Sequence, residues 1–131
     1  MEATALRMDA LPDLSQVREI LTRVIELAGM GPSVATKAQI AALRGVSGRA
    51  TMLELAIPTD APSLELSDGA HGPISESDVI DDAGNVVGGI SLWATGKRLD
   101  TLEFYWFTDE RPTELPQTDH IVASTARAKH A

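Results

Sequence analysis

Three histidines and three acidic clusters are the residues with the means to do acid–base or metal chemistry in this chain. His71 lies among Gly69, Gly72 and Pro73, His120 follows Asp119, and His130 is next to the last residue. A histidine beside a carboxylate is the arrangement of a general base. The spacing puts no serine or second histidine beside any of the three, so they read as exposed loop histidines. The clusters are Glu76/Asp78, Asp81/Asp82 and Asp109/Glu110/Glu114. Paired carboxylates hold hard cations or share proton transfers. Asp81 and Asp82, however, suit a turn, and Glu76 and Asp78 fall on a strand that looks like a sheet edge, where charge discourages aggregation.

The spacings of the common catalytic and ligand motifs are missing: no zincin helix, nucleophile elbow, dinucleotide glycine pattern or calcium loop. Gly96-Lys97 resembles the end of a phosphate loop, but Arg98 stands where a hydroxyl is needed and no glycine stands five residues before Gly96. The chain has no cysteine, which removes disulfides, thiolate nucleophiles and cysteine-held zinc. The sequence therefore assigns no catalytic residue, metal site or cofactor, and points away from an enzyme.

What remains is to ask which elements position the side chains. Leu14, Val17, Leu21, Val24 and Ala28 recur at helical spacing, with Ile20, Ile25 and Leu27 widening the stripe. Asp13 is a good N-cap with Gln16 three residues on, Glu19 and Arg23 are in the favourable i,i+4 order, and Gly29 or Gly31 suits the end. A second, shorter helix is expected over Val34–Leu43, capped by Ser33 or Thr36 and stopped by Gly45. After Gly48 the period changes to two. Leu53, Leu55 and Ile57 alternate with Met52, Glu54 and Ala56, predicting a strand over Ala50–Ile57 that Pro58 ends. Residues 58–73 carry Pro58, Pro62, Pro73, Gly69 and Gly72 and read as a surface loop.

Strands are then predicted at Ile74–Ile80, Val86–Thr95 and Leu99–Phe107. Asp82-Ala83-Gly84 suits a type I turn with a left-handed glycine, pairing Asp81 with Asn85, Ile80 with Val86 and Val79 with Val87. For the next turn, a three-residue loop Gly96-Lys97-Arg98 puts Ile90 opposite Phe104 and Leu92 opposite Leu102. A two-residue loop would scatter these apolar residues over both faces. The core face is then Ile90, Leu92, Leu102, Phe104 and Trp106. The opposite face carries Val87, Trp93, Tyr105 and Phe107 among Ser91, Thr101 and Glu103, with Tyr105 covering Gly89. Beyond Thr108, Pro112 and Pro116 imply a loop docked by Leu115, Ile121 and Val122.

The expected fold is α+β: one or two N-terminal helices packed on a mainly antiparallel β-meander of about four or five strands. Residues 1–122 read as one domain and 123–131 as a disordered tail. Composition agrees, with 44% hydrophobic and 23% charged residues among 131. No apolar run approaches the roughly 20 residues of a membrane span, Met1–Asp9 lacks a leader's apolar run, and a cytoplasmic location is expected. The net charge is −8. Residues 1–50 are near neutral, with five acids and six bases, whereas residues 51–119 hold fourteen acids and three bases. That balance disfavours nucleic acid and anionic membrane as partners.

The most distinctive stretch is Leu102-Glu103-Phe104-Tyr105-Trp106-Phe107-Thr108-Asp109-Glu110-Arg111-Pro112-Thr113-Glu114-Leu115-Pro116. It resembles the C-terminal part of small uncharacterised proteins of actinobacteria, in which an aromatic strand runs into a Thr-Asp-Glu-x-Pro-x-Glu-Leu-Pro loop. Those proteins often carry a cysteine-rich stretch after a Gly-Arg pair, whereas Gly48-Arg49 is followed here by Ala50-Thr51-Met52. The resemblance brings no activity with it.

These features suggest a small non-enzymatic protein-interaction or regulatory module, immunity- or adaptor-like, with an acidic surface. Its expected binding residues are Trp93, Tyr105, Phe107, Asp109, Glu110 and Glu114, facing another protein or a second copy of the chain. The alternative is a small-molecule-binding domain with its pocket between helix and sheet. A carboxylate hydrolase ranks third. Against the binding surface stands an internal explanation, in which the 58–73 loop or the Pro112–Val122 segment folds over the aromatics and buries them.

Overall fold

Asp13 starts the first helix. Its side chain accepts the Gln16 amide at 2.9 Å and satisfies one of the donors that every helix N-terminus leaves over. The structure is a computed structural model describing residues 12–28, 33–66, 73–109 and 114–124. Helix α1 spans Leu14–Leu27. Its stripe of Val17, Ile20, Leu21, Val24 and Ile25 is buried, and each such side chain contributes about 1.5–3 kcal/mol relative to exposure. Helix α2 spans Val34–Ala42 and is capped by Ser33, whose hydroxyl accepts the Thr36 amide at 3.1 Å. Arg18 of α1 ties the two together, donating to the carbonyls of Ile40 at 3.2 Å and Leu43 at 2.7 Å.

The strands are β1 (Gly45–Arg49), β2 (Met52–Ala56), β3 (Pro73–Ile80), β4 (Val86–Thr95), β5 (Arg98–Trp106) and β6 (Ile121–Ala123), with a short 3-10 turn at Thr118–His120 before β6. They form one antiparallel sheet in the order β1-β2-β5-β4-β3-β6. Two N-terminal helices on an antiparallel sheet is the α+β architecture expected, but with six strands rather than four or five. Gly45–Arg49, expected only to stop a helix, pairs with β2 as an edge strand; a single Val46 among Gly, Ser and Arg carries no alternation to detect. β6 is three residues long, too short for a period. β6 adds onto β3 at Ser77–Val79, so Asp78 does not stand on a sheet edge as expected, whereas Glu76 lies just outside the paired stretch. Ala123 pairs with Ser77 and Ser124 is buried, so ordered chain continues two residues past the boundary expected at 122.

Register follows hydrophobic pattern. Ile90 faces Phe104, Leu92 faces Leu102 and Gly89 faces Tyr105, as predicted. The turn that produces this register is not the one expected. Thr95 pairs with Arg98, leaving a two-residue turn of Gly96 and Lys97, both at positive φ (59° and 62°), the pattern of a type I′ hairpin. The odd residue sits inside β5: Trp93 pairs with Thr101 but Ala94 with Leu99, so Asp100 is a bulge. In the preceding hairpin Gly84, at φ 86°, and the Asp81–Asn85 pair are as expected, but Val79 pairs with Gly88 rather than Val87. Val87 is the extra residue of that bulge and packs against the core.

The core lies between the helices and one sheet face: Leu53 and Leu55 of β2, Leu102 and Phe104 of β5, Ile90 and Leu92 of β4, Val79 of β3 and Ile121 of β6. Gln39 is buried within this layer. Its amide donates to the carbonyls of Pro62 at 2.7 Å and Lys97 at 3.1 Å, and its oxygen accepts the Leu99 amide at 2.9 Å. One side chain thus joins α2, the loop after β2 and the β4–β5 hairpin. The loop is no bare surface segment, since Leu64 is buried in the core and donates its amide to Lys97.

Candidate functional site

The second face of the sheet carries the alternate residues of the same strands. Opposite residues on paired strands share a face, so the register sets out this surface in rows. Met52, Glu103, Ser91 and Glu76 form one row across β2, β5, β4 and β3, and Glu54, Thr101 and Trp93 form the next. Tyr105, Gly89, Asp78 and Val122 form a third.

All five aromatics of the chain lie on β4 and β5 or directly after them. Phe104 and Trp106 face the core. On the other side, Tyr105 and Phe107 are 37% and 64% exposed and touch, ring centroids 6.0 Å apart at 52°. Trp93 is half-buried and stands two rows away from Tyr105, with the Glu103 row between, its indole nitrogen donating to Glu103 Oε1 at 3.2 Å. The expected aromatic surface is therefore two units, a Tyr105–Phe107 pair and a Trp93–Glu103 pair. Met52, 46% exposed in the Glu103 row, joins them and had no sequence signal beyond its alternation with Leu53.

Two glycines explain how the aromatics lie. A Cβ on Gly89 would meet the Tyr105 ring at 2.5 Å, and one on Gly88 would meet the Trp106 ring at 2.6 Å and the Tyr105 carbonyl at 2.5 Å. Each ring thus lies flat over a glycine of β4, Tyr105 on the open face and Trp106 on the core face.

Of the two segments proposed to cover these aromatics, the described residues 58–66 and 114–121 pack on the core side, while residues 67–72 and 110–113 lie outside the described residues and Val122 joins the Asp78 row of the open face. Leu64 and Ile121 are buried in the core and Leu115 packs against it. Both helices lie on that side also. Of the expected acidic rim, Asp109 and Glu114 are exposed, and Glu110 lies outside the described residues. The carboxylates that the sheet does gather on the open face are Glu54, Glu76, Asp78 and Glu103.

Of the histidines, His71 and His130 lie outside the described residues. His120 is half-buried, with Nε2 3.0 Å from Asp82 Oδ1 and Nδ1 3.5 Å from Asp119 Oδ1. It pins the β3–β4 turn to the 3-10 turn, a link between residues 38 apart that spacing could not reveal. Asp81 serves its turn as expected. The Asn85 amide above all, with those of Ala83 and Gly84, holds its carboxyl below the usual 3.8. Among the described residues no three histidine, aspartate or glutamate side chains gather as a metal site, and no described helix is long and apolar enough to cross a membrane.

An open groove of about 660 Å³ runs along the solvent side of α1, lined by Arg18, Glu19, Thr22, Arg23 and Glu26 with Thr118 and Asp119. It is charged, and it does not lie between helix and sheet. Its arginines are already engaged: Arg18 with α2, and Arg23 through Nε with the Ile121 carbonyl at 3.1 Å.

Compared with models of protein families, with curated proteins and with solved structures, the chain matches none.

Proposed function

We propose that this protein is a small interaction module, adaptor- or immunity-like, that recognises another protein through the open face of its sheet. The observation that carries this reading is the Tyr105–Phe107 pair: two aromatic rings in contact, one on β5 and one directly after its end, exposed to 37% and 64%. Large aromatics anchored on a sheet and surrounded by polar side chains have the composition of interface centres. Gly89 beneath the Tyr105 ring and the Glu103 bond to Trp93 fix the positions of these two rings, so little ordering entropy is lost there on binding. The reading of a small-molecule site between helix and sheet has less support, because that layer is occupied by Leu, Ile, Val and Phe side chains.

The test is a Tyr105→Ala/Phe107→Ala double variant. Proteins that co-purify with the chain from native lysate should be lost, while the melting temperature stays within a few degrees of the parent. A stability loss of several kcal/mol, the order expected for truncated core aromatics, would show that the rings serve packing instead.

A further inference from the structure

We infer that the protein met by the open face is a second copy of this chain, packed face to face about a two-fold axis that runs along β5. This rests on the reading of the face as an interaction surface and names its partner. Opposite charges lie symmetrically about the aromatic pair. β5 is the middle strand of β1-β2-β5-β4-β3. Register sets Arg49, Met52, Glu103, Ser91 and Glu76 in one row across these five strands. Arg49 therefore stands two strand spacings to one side of β5, about 10 Å, and Glu76 the same distance to the other. Both are exposed, and among the described residues neither has an ion-pair partner.

A two-fold axis along β5 exchanges the two sides of the sheet. It brings Arg49 of each copy over Glu76 of the other, two equivalent pairs, and leaves Tyr105 and Phe107 on the axis, each against its own counterpart. Aligned packing turns one sheet by about 30° on the other, which moves a residue about 10 Å from the axis by roughly 5 Å, within the reach of an arginine. The result is an aromatic centre flanked by charged pairs, the anatomy of an interface. Edge protection accounts for a charge at either place but accepts either sign. Exchange across the axis needs opposite signs at equal distances, which is what the row holds. Glu103 meets its own counterpart near the axis, and this like-charge contact is the one opposing element.

The test is sedimentation equilibrium of the full chain from about 1 μM to about 1 mM, a range that spans weak and moderate dimers. The parent should associate reversibly to a dimer. Arg49→Glu and Glu76→Arg should each weaken it about tenfold, because each sets like charges at both pairs. Arg49→Glu/Glu76→Arg, which exchanges the signs, should regain the parent's affinity. Phe107→Ala should abolish the dimer. Glu103→Gln can still accept the Trp93 bond and should tighten it, whereas Asp60→Asn, on the loop after β2, should leave it unchanged. Circular dichroism establishes that each variant is folded. A monomer at every concentration, a dimer indifferent to Phe107→Ala, weakening by Glu103→Gln, or a double variant no better than the single ones would overturn the inference. The broader reading fails separately, when Tyr105→Ala/Phe107→Ala keeps both its self-association and every protein that co-purifies with it.

Discussion

Along β5, Leu102 and Phe104 are buried in the core, while Glu103 and Tyr105, one residue on from each, look the other way. The two faces of the sheet share strands, hydrogen bonds and register, yet differ in what their side chains are free to do. On the covered face, size and shape are set by the helix above. On the open face no described helix packs on the residues, and a carboxylate, an aromatic and a methionine stand side by side. Residues there that are large, apolar and exposed are the ones whose presence packing does not explain.

The sharpest way to break this comparison is to truncate one residue on each face. Leu102→Ala should cost about 2–5 kcal/mol in chemical denaturation. Phe107→Ala should cost under about 0.5 kcal/mol, the range of surface changes away from special features. Similar losses for both would mean that the open face is core. The two glycines sharpen the contrast. A methyl at Gly88 is driven against the Tyr105 carbonyl, which cannot move without disturbing the ladder, whereas a methyl at Gly89 meets only ring atoms of an exposed Tyr105. Gly88→Ala should therefore cost about 1–3 kcal/mol and Gly89→Ala clearly less, by the same denaturation midpoint.

A smaller effect is expected within the covered face. Ser75 donates its hydroxyl to the Val24 carbonyl at 2.9 Å, whereas the buried Ser77 hydroxyl has no hydrogen-bond partner among the described residues. Ser75→Ala should lose about 1 kcal/mol, and Ser77→Ala should be neutral or slightly stabilising. Smallest is the pH effect of Asp81, which belongs to neither face. Its folded pKa lies below the unfolded value, so its contribution is complete above the usual 3.8 and disappears as pH falls through the lower folded value. Melting curves of the parent and Asp81→Asn should converge in that acidic range and separate above it.

What the sequence made legible was whatever has a period. The 3.6-residue stripe of α1 and the two-residue alternation of β2, β4 and β5 were strong enough to set the element types and the β4–β5 register. The register was right although the turn was not, because apolar matching across the strands outweighs turn length, and the Asp100 bulge absorbed the difference. β1 and β6 carry too few apolar residues to show a period; only their pairing partners define them. The same limit applied to the site. Alternation alone put Trp93, Tyr105 and Phe107 on one face, but the placement of Glu54 beside Glu103 depends on β2 pairing with β5, a contact between distant segments that no local pattern encodes.

The bond from Arg23 to the carbonyl of Ile121 spans 98 residues. Its consequence is for the order in which the chain assembles. The β1–β2, β3–β4 and β4–β5 hairpins close short loops, but docking α1 against β6 must wait until nearly the whole chain is in place, because long loops cost more entropy to close before any contact repays it. An interaction that forms so late is absent from the folding transition state. Weakening it with Arg23→Lys should leave the folding rate almost untouched and speed unfolding, so this contact acts on how long the native molecule lasts rather than on how fast it is made.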